Sequence, residues 1–169
     1  VTQADTLEAY LPLREDLVRM GVASYVIELL DRFTYEGESA PYDLFRLLTE
    51  TLGRIAREPD AWLAVRYYEM RLLDFLGYRP HLFECANCGE AVQAVDQFFS
   101  PSQGGVLCPR CGVGLPGAWK VSVEALKYLR HFQRSSYREA KRARPQPEIQ
   151  KEVETLMQGY LTFLLERGL

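Results

Sequence analysis

The four cysteines of this 169-residue chain constrain its fold more than any other feature. They form two Cys-x-x-Cys pairs, Cys85–Cys88 and Cys108–Cys111, and a glycine follows each pair directly. Two residues between cysteines allow a tight turn that directs both sulfurs at one ion, and glycine tolerates the positive φ of such a turn. The pattern therefore predicts a zinc ribbon in which Cys85, Cys88, Cys108 and Cys111 bind one structural Zn²⁺.

Two alternatives compete with this interpretation. The pairs could form disulfides or a redox centre, but neither pair lies in a thioredoxin-like βαβ pattern and no secretory signal precedes them. His81 or His131 could replace a cysteine as ligand, although four thiolates already complete a tetrahedral shell. A complete shell leaves no position for a reactive water, so the site is expected to be structural.

Charge is distributed unevenly along the chain. Residues 1–84 carry 9 Lys/Arg and 15 Asp/Glu, whereas residues 120–144 carry 8 basic and 2 acidic residues. Such asymmetry is typical of a protein with a face for an anionic partner. The sequence has no run of about 18 apolar residues, so no membrane span is predicted.

Apolar residues at three- and four-residue steps predict two helices in the first 57 residues. Gly37 and Pro41 separate them, and Pro41 is suited to the first turn of the second helix. The apolar positions are Leu17, Met20, Val22, Val26, Leu29, Leu30 and Phe33 in the first helix, and Leu44, Leu48, Leu52 and Ile55 in the second.

Three further helices follow from the same reasoning. Residues 61–76 are apolar on nearly all sides, which predicts a buried helix with Asp60 as cap and Gly77 at its end. Another helix is predicted from about Ser122. The last helix has an apolar stripe of Ile149, Val153, Leu156, Met157, Tyr160, Leu161 and Leu164.

The cysteine segment interrupts these helices with a small β-element. Residues 92–99 and 105–107 fit two short strands joined by a turn at residues 100–104. The predicted fold is mainly α, a helical bundle with an inserted four-cysteine zinc ribbon. Its parts are the first helical portion (1–81), the ribbon insert (82–118) and the second helical portion (119–169).

A basic cluster follows the ribbon. If the helix that begins near Ser122 continues, the charges at positions 127, 130, 134, 138 and 141 line one face, which would match a phosphodiester backbone. A solvated helix face is the competing interpretation. The predicted nucleic-acid or acidic-tail binding residues are Lys127, Arg130, Arg134, Arg138, Lys141, Arg142 and Arg144.

No catalytic constellation is recognisable in the sequence. It has no Gly-rich phosphate loop, and neither histidine has a neighbouring carboxylate in the sequence. The prediction is a protein that is not an enzyme and has no catalytic residues.

The passage from Tyr68 to Pro80, which leads directly into Phe83-Glu-Cys85-Ala-Asn-Cys88-Gly89, resembles the C-terminal part of the bacterial RecO family. Residues 23–30, 42–48 and 160–167 resemble the same family, so the likeness covers nearly the whole chain. Some members of the family lack the cysteines.

The resemblance implies a DNA repair and homologous recombination mediator of the RecF pathway. Such proteins bind single- and double-stranded DNA and anneal complementary strands. With RecR they help to load RecA onto DNA coated by single-stranded-DNA-binding protein, and they bind the acidic C-terminal tail of that protein. The implied location is the bacterial cytoplasm, in association with the nucleoid.

The family begins with an OB-fold domain, and nothing in residues 1–169 resembles one. The absence of this domain and the start at Val1 predict a C-terminal fragment or a processed chain. The alternative function is a zinc-stabilised helical scaffold for protein interactions without direct nucleic-acid contact.

Overall fold

The computed structural model describes residues 5–6, 8–34 and 42–167. The chain forms two compact units, Val1–Tyr68 and Glu69–Leu169. The predicted ribbon segment, residues 82–118, lies in the second unit. Gly37 and Pro41, which are predicted to separate the first two helices, lie outside the described residues.

Helices form the first unit. Asp16 caps the long helix α2, because its carboxylate accepts hydrogen bonds from the backbone N–H groups of Val18 at 2.9 Å and Arg19 at 3.1 Å. The Arg19 guanidinium donates to the carbonyls of Ile55 at 2.7 Å and Ala56 at 2.6 Å near the end of α3. The helices are α1 (Leu11–Arg14), α2 (Leu17–Phe33), α3 (Tyr42–Arg57) and the first half of α4 (Trp62–Phe75).

The predicted apolar faces are confirmed in their central parts. Val26 and Ile55 are fully buried, whereas Leu17 at the start of α2 is 82% exposed. Helix α4 is buried on nearly all sides, as predicted. The Asp60 carboxylate accepts from the Trp62 N–H at 2.9 Å, and Gly77 has φ +79° at the end of the helix. Both predicted helix boundaries are therefore confirmed.

The second unit combines a three-stranded antiparallel sheet with helices. Its strands are β1 (Gln97–Ser100), β2 (Gly105–Leu107) and β3 (Trp119–Val121), in the order β2-β1-β3. Phe99 pairs with Val106 on one side and with Trp119 on the other. A 3-10 turn (Pro101–Gln103) joins the first two strands, and the helices are α5 (Pro109–Gly112), α6 (Val123–Arg134), α7 (Tyr137–Ala140) and α8 (Pro147–Glu166).

The sheet differs from the prediction in two respects. The first strand begins at Gln97 and not at residue 92, because the Gln97 side chain donates to the carbonyls of Gln93 at 3.0 Å and Val95 at 2.8 Å and holds this segment in a bend. The third strand, β3, is missing from the prediction because it has only three residues and pairs with a distant segment.

Long-range contacts hold both ends of α6. At its start, the Ser122 N–H and hydroxyl both donate to the Glu152 carboxylate of α8, each at 2.6 Å. At its end, the Arg71 guanidinium donates to the carbonyls of Phe132 at 3.1 Å and Ser135 at 2.7 Å. The position of α6 within the second unit is therefore fixed by residues of two other helices.

Within the described residues, no helix combines the length and apolar character needed to cross a lipid bilayer.

Candidate metal centre and basic surface

The first cysteine turn is built by its backbone. The Cys85 N–H donates to the Glu90 carbonyl at 2.8 Å, and the Gly89 N–H donates to the Cys85 carbonyl at 2.8 Å. Gly89 has φ +73°, as predicted for a glycine that closes such a turn. These bonds bring the Cys85 and Cys88 side chains to the same side of the turn.

The second turn uses a different device. Cys108 precedes the short helix α5, whose first residue is Pro109, and the Cys111 N–H donates to the Cys108 carbonyl at 3.0 Å. The prediction of a positive φ at Gly112 is wrong, because Gly112 is the last residue of this helix. Glycine is required there for space, since a Cβ would collide with the Phe98 side chain.

We therefore expect Gly112→Ala to destabilise the second unit by about 1–3 kcal/mol, the usual cost of overpacking a well-packed site. Gly21→Ala is the matched control, because a Cβ on Gly21 meets nothing within 4 Å and its helical backbone suits alanine. Urea denaturation of both variants measures the difference. Equal stability of the two variants would contradict the steric explanation.

The structure brings the four cysteines together. Their sulfur atoms all lie within 4.8 Å of one another, and the Sγ atoms of Cys88 and Cys108 are 3.9 Å apart. All four thiols are free, and a disulfide would require a separation near 2.05 Å. Four sulfurs at about 2.3 Å from a tetrahedral ion lie about 3.8 Å apart, so this group is compatible with a metal site.

Backbone N–H donors stabilise the thiolate form of Cys85. Burial raises the pKa of the Cys85 thiol, but the N–H groups of Cys108, Cys88 and Asn87 outweigh that effect and lower the pKa to about 6. The Cys108 N–H lies 3.3 Å from the Cys85 sulfur. Burial instead raises the pKa of Cys108 to about 11. A bound cation favours the thiolate form of every ligand, so the metal and these backbone dipoles act in the same direction.

A charged pair spans the two turns. Arg110 lies between the second pair of cysteines and forms an ion pair with Glu90 at 2.8 Å. The hydrogen bond with Glu90, followed by the one with the Cys88 sulfur, raises the pKa of Arg110. Arg110 thereby places a positive charge beside the Cys88 sulfur.

Among the described residues, the group of possible metal ligands consists of the four cysteines and includes neither His81 nor His131. His131 lies on α6, where its ring nitrogens are 3.0 Å from the Ser135 hydroxyl and 3.3 Å from the Glu139 carbonyl. His81 is exposed, and its backbone pairs with that of Gly105.

The predicted basic residues do not lie on one continuous helix. Helix α6 ends at Arg134, and the Ser136 hydroxyl and Glu139 carboxylate form a capping box that begins α7. The backbone N–H and hydroxyl of Ser136 donate to the Glu139 carboxylate at 2.9 and 2.8 Å, which lowers its pKa. The charges before Ser135 therefore lie on α6, whereas after Ser135 only Arg138 lies on α7, and Lys141, Arg142 and Arg144 follow that helix.

The three basic residues of α6 already have partners within the second unit. Lys127 forms an ion pair with Glu124 at 2.7 Å. The Arg130 Nε–H donates to the Leu82 carbonyl at 2.8 Å, and the Arg134 guanidinium carbon lies 3.5 Å from the centroid of the Phe83 ring. The remaining four are exposed and lie on α7 or after it: Arg138, Lys141, Arg142 and Arg144.

Phe83 is among the site residues that the sequence prediction missed. Its ring lies against Arg134 and 5.2 Å from the guanidinium carbon of Arg130, and its carbonyl accepts from the Val92 N–H at 3.0 Å. Only its position two residues before Cys85 could have indicated this role. Phe83 connects the segment of the first cysteine turn to α6.

Comparison with known proteins identifies the family. The family model described as "Recombination protein O C terminal" matches residues 14–169. The chain belongs to the RecO family.

Individual members of the RecO family are similar in sequence to nearly the whole chain. DNA repair protein RecO of Roseiflexus sp. (strain RS-1) is 40% identical over 167 residues, which are 99% of this chain and 59% of that protein. DNA repair protein RecO of Dehalococcoides mccartyi (strain ATCC BAA-2266 / KCTC 15142 / 195) is 36% identical over 170 residues, or 99% of this chain and 65% of that protein. The chain thus spans about 59–65% of the length of these two relatives.

Proposed function

We propose that this chain is part of a mediator of DNA repair and homologous recombination that binds single- and double-stranded DNA. The observation that carries the proposal is its membership of the RecO family over residues 14–169. The mediator anneals complementary strands and acts in the RecF pathway without catalysing a reaction. Its partners are RecR, with which it helps to load RecA, and the acidic C-terminal tail of single-stranded-DNA-binding protein.

We also propose that the cysteine group binds a structural Zn²⁺. The sulfur separations and the exclusively thiol donor set support a soft divalent ion in a closed shell. When bound, the ion would contribute cross-linking and not reactivity. The chain's own residues supply the backbone bonds that hold the two turns and the sheet that supports them.

The outer residues of the basic cluster are the best candidates for DNA contact. Arg138, Lys141, Arg142 and Arg144 lie on α7 and the segment after it, beyond the end of α6. Lys127, Arg130 and Arg134 have a supporting role, because their charges are partly satisfied within the chain. Each phosphate that is neutralised releases counterions, so the contacts should be measurable in a salt titration.

Charge reversal in the double variant Arg138→Glu/Arg142→Glu is expected to weaken binding to a labelled oligonucleotide. The salt slope for a single strand should fall by about 1.4, since each lost phosphate contact contributes about 0.7. The variant Arg32→Glu/Arg46→Glu changes the net charge equally at two exposed residues of the first unit and is the matched control. Fluorescence anisotropy between about 50 and 200 mM salt gives both slopes, at salt concentrations where electrostatic contacts are well resolved.

The alternative function is a zinc-stabilised helical scaffold without direct nucleic-acid contact. The internal partners of Lys127, Arg130 and Arg134 favour it, because these residues are then structural. This alternative predicts that the unmodified chain shows no salt-dependent binding to any oligonucleotide. Equal losses in the two charge-reversal variants would also contradict DNA contact through α7.

A further inference from the structure

A polar groove lies beside the C-terminal half of α8, entirely within the second unit. Its volume is about 610 Å³. The segment from Gly77 to His81 forms one wall, the 3-10 turn with Gly104 forms the other, and Tyr160 and Phe163 line the helix side. The lining of the groove includes neither the cysteine group nor the exposed cations on and after α7.

The groove is lined by basic residues. Its lining contains Arg79, His81 and Arg167, and no Asp or Glu is among the described residues that line it. Arg79 forms one ion pair with Asp74 at 3.3 Å, yet its side chain remains 47% exposed. A guanidinium has five N–H donors, so this pair leaves donors for a further anion.

Aromatic rings accompany these charges. The guanidinium carbon of Arg167 lies 4.6 Å from the centroid of the Phe163 ring, and the half-buried Tyr78 also lines the groove. Arginines beside aromatic faces are the combination that binds single-stranded nucleic acid, in which phosphates alternate with unpaired bases. Paired bases are not available for such stacking, which favours a single strand over a duplex.

The walls of the groove are preformed. The Tyr160 hydroxyl donates to the Tyr78 carbonyl at 3.1 Å, and the Tyr160 ring packs edge-on against Phe99 at 5.2 Å. The His81 N–H donates to the Gly104 carbonyl at 2.9 Å. Because these bonds already order both walls, little conformational entropy would be lost when a ligand enters.

A second cavity adjoins the groove. It has a volume of about 350 Å³, shares Gly77, Arg79 and His81 with the first, and extends to Phe83. Glu84 is the acidic residue among the described residues that line this second cavity, so the phosphate contacts are expected at Arg79 and not beyond Phe83. Arg134 lies on the ring of Phe83. A strand that follows both cavities would therefore pass from Arg167 across Arg79 to the basic residues of α6.

We propose that these two cavities bind a single strand of nucleic acid, with Arg79 and Arg167 contacting its phosphates. This inference rests on the proposed DNA-binding function and adds a site that the basic cluster does not include. An acidic peptide shares the negative charge but has no bases to stack, so it is tested as the competing ligand.

The test uses the full chain and a fluorescein-labelled oligo(dT). Arg79→Gln/Arg167→Gln is expected to weaken binding at least about tenfold at about 50 mM salt and to lower the salt slope by about 1.4. The variant Arg32→Gln/Arg46→Gln, which removes the same charge from the first unit, should leave both quantities unchanged. Thermal unfolding of each variant checks that the fold is intact.

A gain-of-function variant makes the test independent of folding defects. Gln103 lines the groove, so Gln103→Lys should tighten oligo(dT) binding and raise the salt slope by about 0.7. If both groove variants bind like the unmodified chain while Arg138→Glu/Arg142→Glu binds weakly, the groove assignment is overturned and the DNA-binding function stands. If the unmodified chain binds no oligonucleotide, the proposed function fails, and the groove assignment fails with it.

The last experiment tests an acidic peptide as the competing ligand. A labelled peptide rich in aspartate is titrated against the same variants. Loss of peptide binding in Arg79→Gln/Arg167→Gln, with oligo(dT) binding retained, would assign the groove to peptides and overturn the proposal. Loss of oligo(dT) binding together with unchanged peptide binding would support it.

Discussion

Cys85→Ser is expected to abolish tight zinc binding and to unfold the cysteine turns. Cys85 is the buried member of the group, and its sulfur accepts from the Cys108 N–H. Serine cannot supply a thiolate, so the shell loses one of four soft ligands. Loss of an outer-shell partner alone lowers metal affinity about 10–100-fold, and loss of a direct ligand should exceed that range.

Zinc content of the purified protein and competition with a chromophoric chelator measure the affinity. Hydrogen exchange should rise in residues 81–121, while helices α2 and α3 of the first unit keep their protection. Asn87→Ser is the matched control, since Asn87 lies within the first turn and offers no sulfur. Undiminished zinc in the Cys85 variant would remove the proposed metal site.

A second large effect, a loss of stability, is expected when Phe99 is replaced by alanine. This β1 residue is fully buried, stacks with Trp119 at 6.2 Å and packs edge-on against Tyr160 of α8. Phe99→Ala removes a ring that joins all three strands to α8, so we expect a loss of about 3–5 kcal/mol in unfolding free energy.

Urea denaturation followed by tryptophan fluorescence and circular dichroism measures this loss. Val95→Ala is the control, because Val95 precedes the same strand and is 50% exposed. Exposed substitutions of this kind usually change stability by less than about 0.5 kcal/mol. A similar, small effect in both variants would mean that Phe99 does not join the sheet to α8 energetically.

The cysteine group and the main helices could be predicted because their signals are local. Two-residue spacing brings Cys85 and Cys88 to one turn, and glycine closes it. Asp60 lies two residues before α4, and Ser122 directly precedes α6, so each cap is close in sequence to the helix that it begins. The buried stripe of α8 could be predicted for the same reason, because its apolar residues recur three and four positions apart in the sequence.

The break after α6 could not be predicted from periodicity. Its two causes are the capping box that begins at Ser136 and the guanidinium of Arg71, which binds the carbonyls at the end of the helix. Arg71 lies more than 60 residues before those carbonyls in the chain. The requirement for glycine at position 112 is similar, because it depends on Phe98 in another element.

The anchoring of α6 by Glu152 and Arg71 limits how a binding event could be transmitted. A helix whose first and last turns are both bonded to other segments cannot slide along its axis without breaking several hydrogen bonds. A ligand that contacts Arg134 is therefore expected to leave the position of α6 unchanged. Any movement that it causes is expected in the chain after Ser135, where α7 has only four residues and the following residues 143–146 form no regular element.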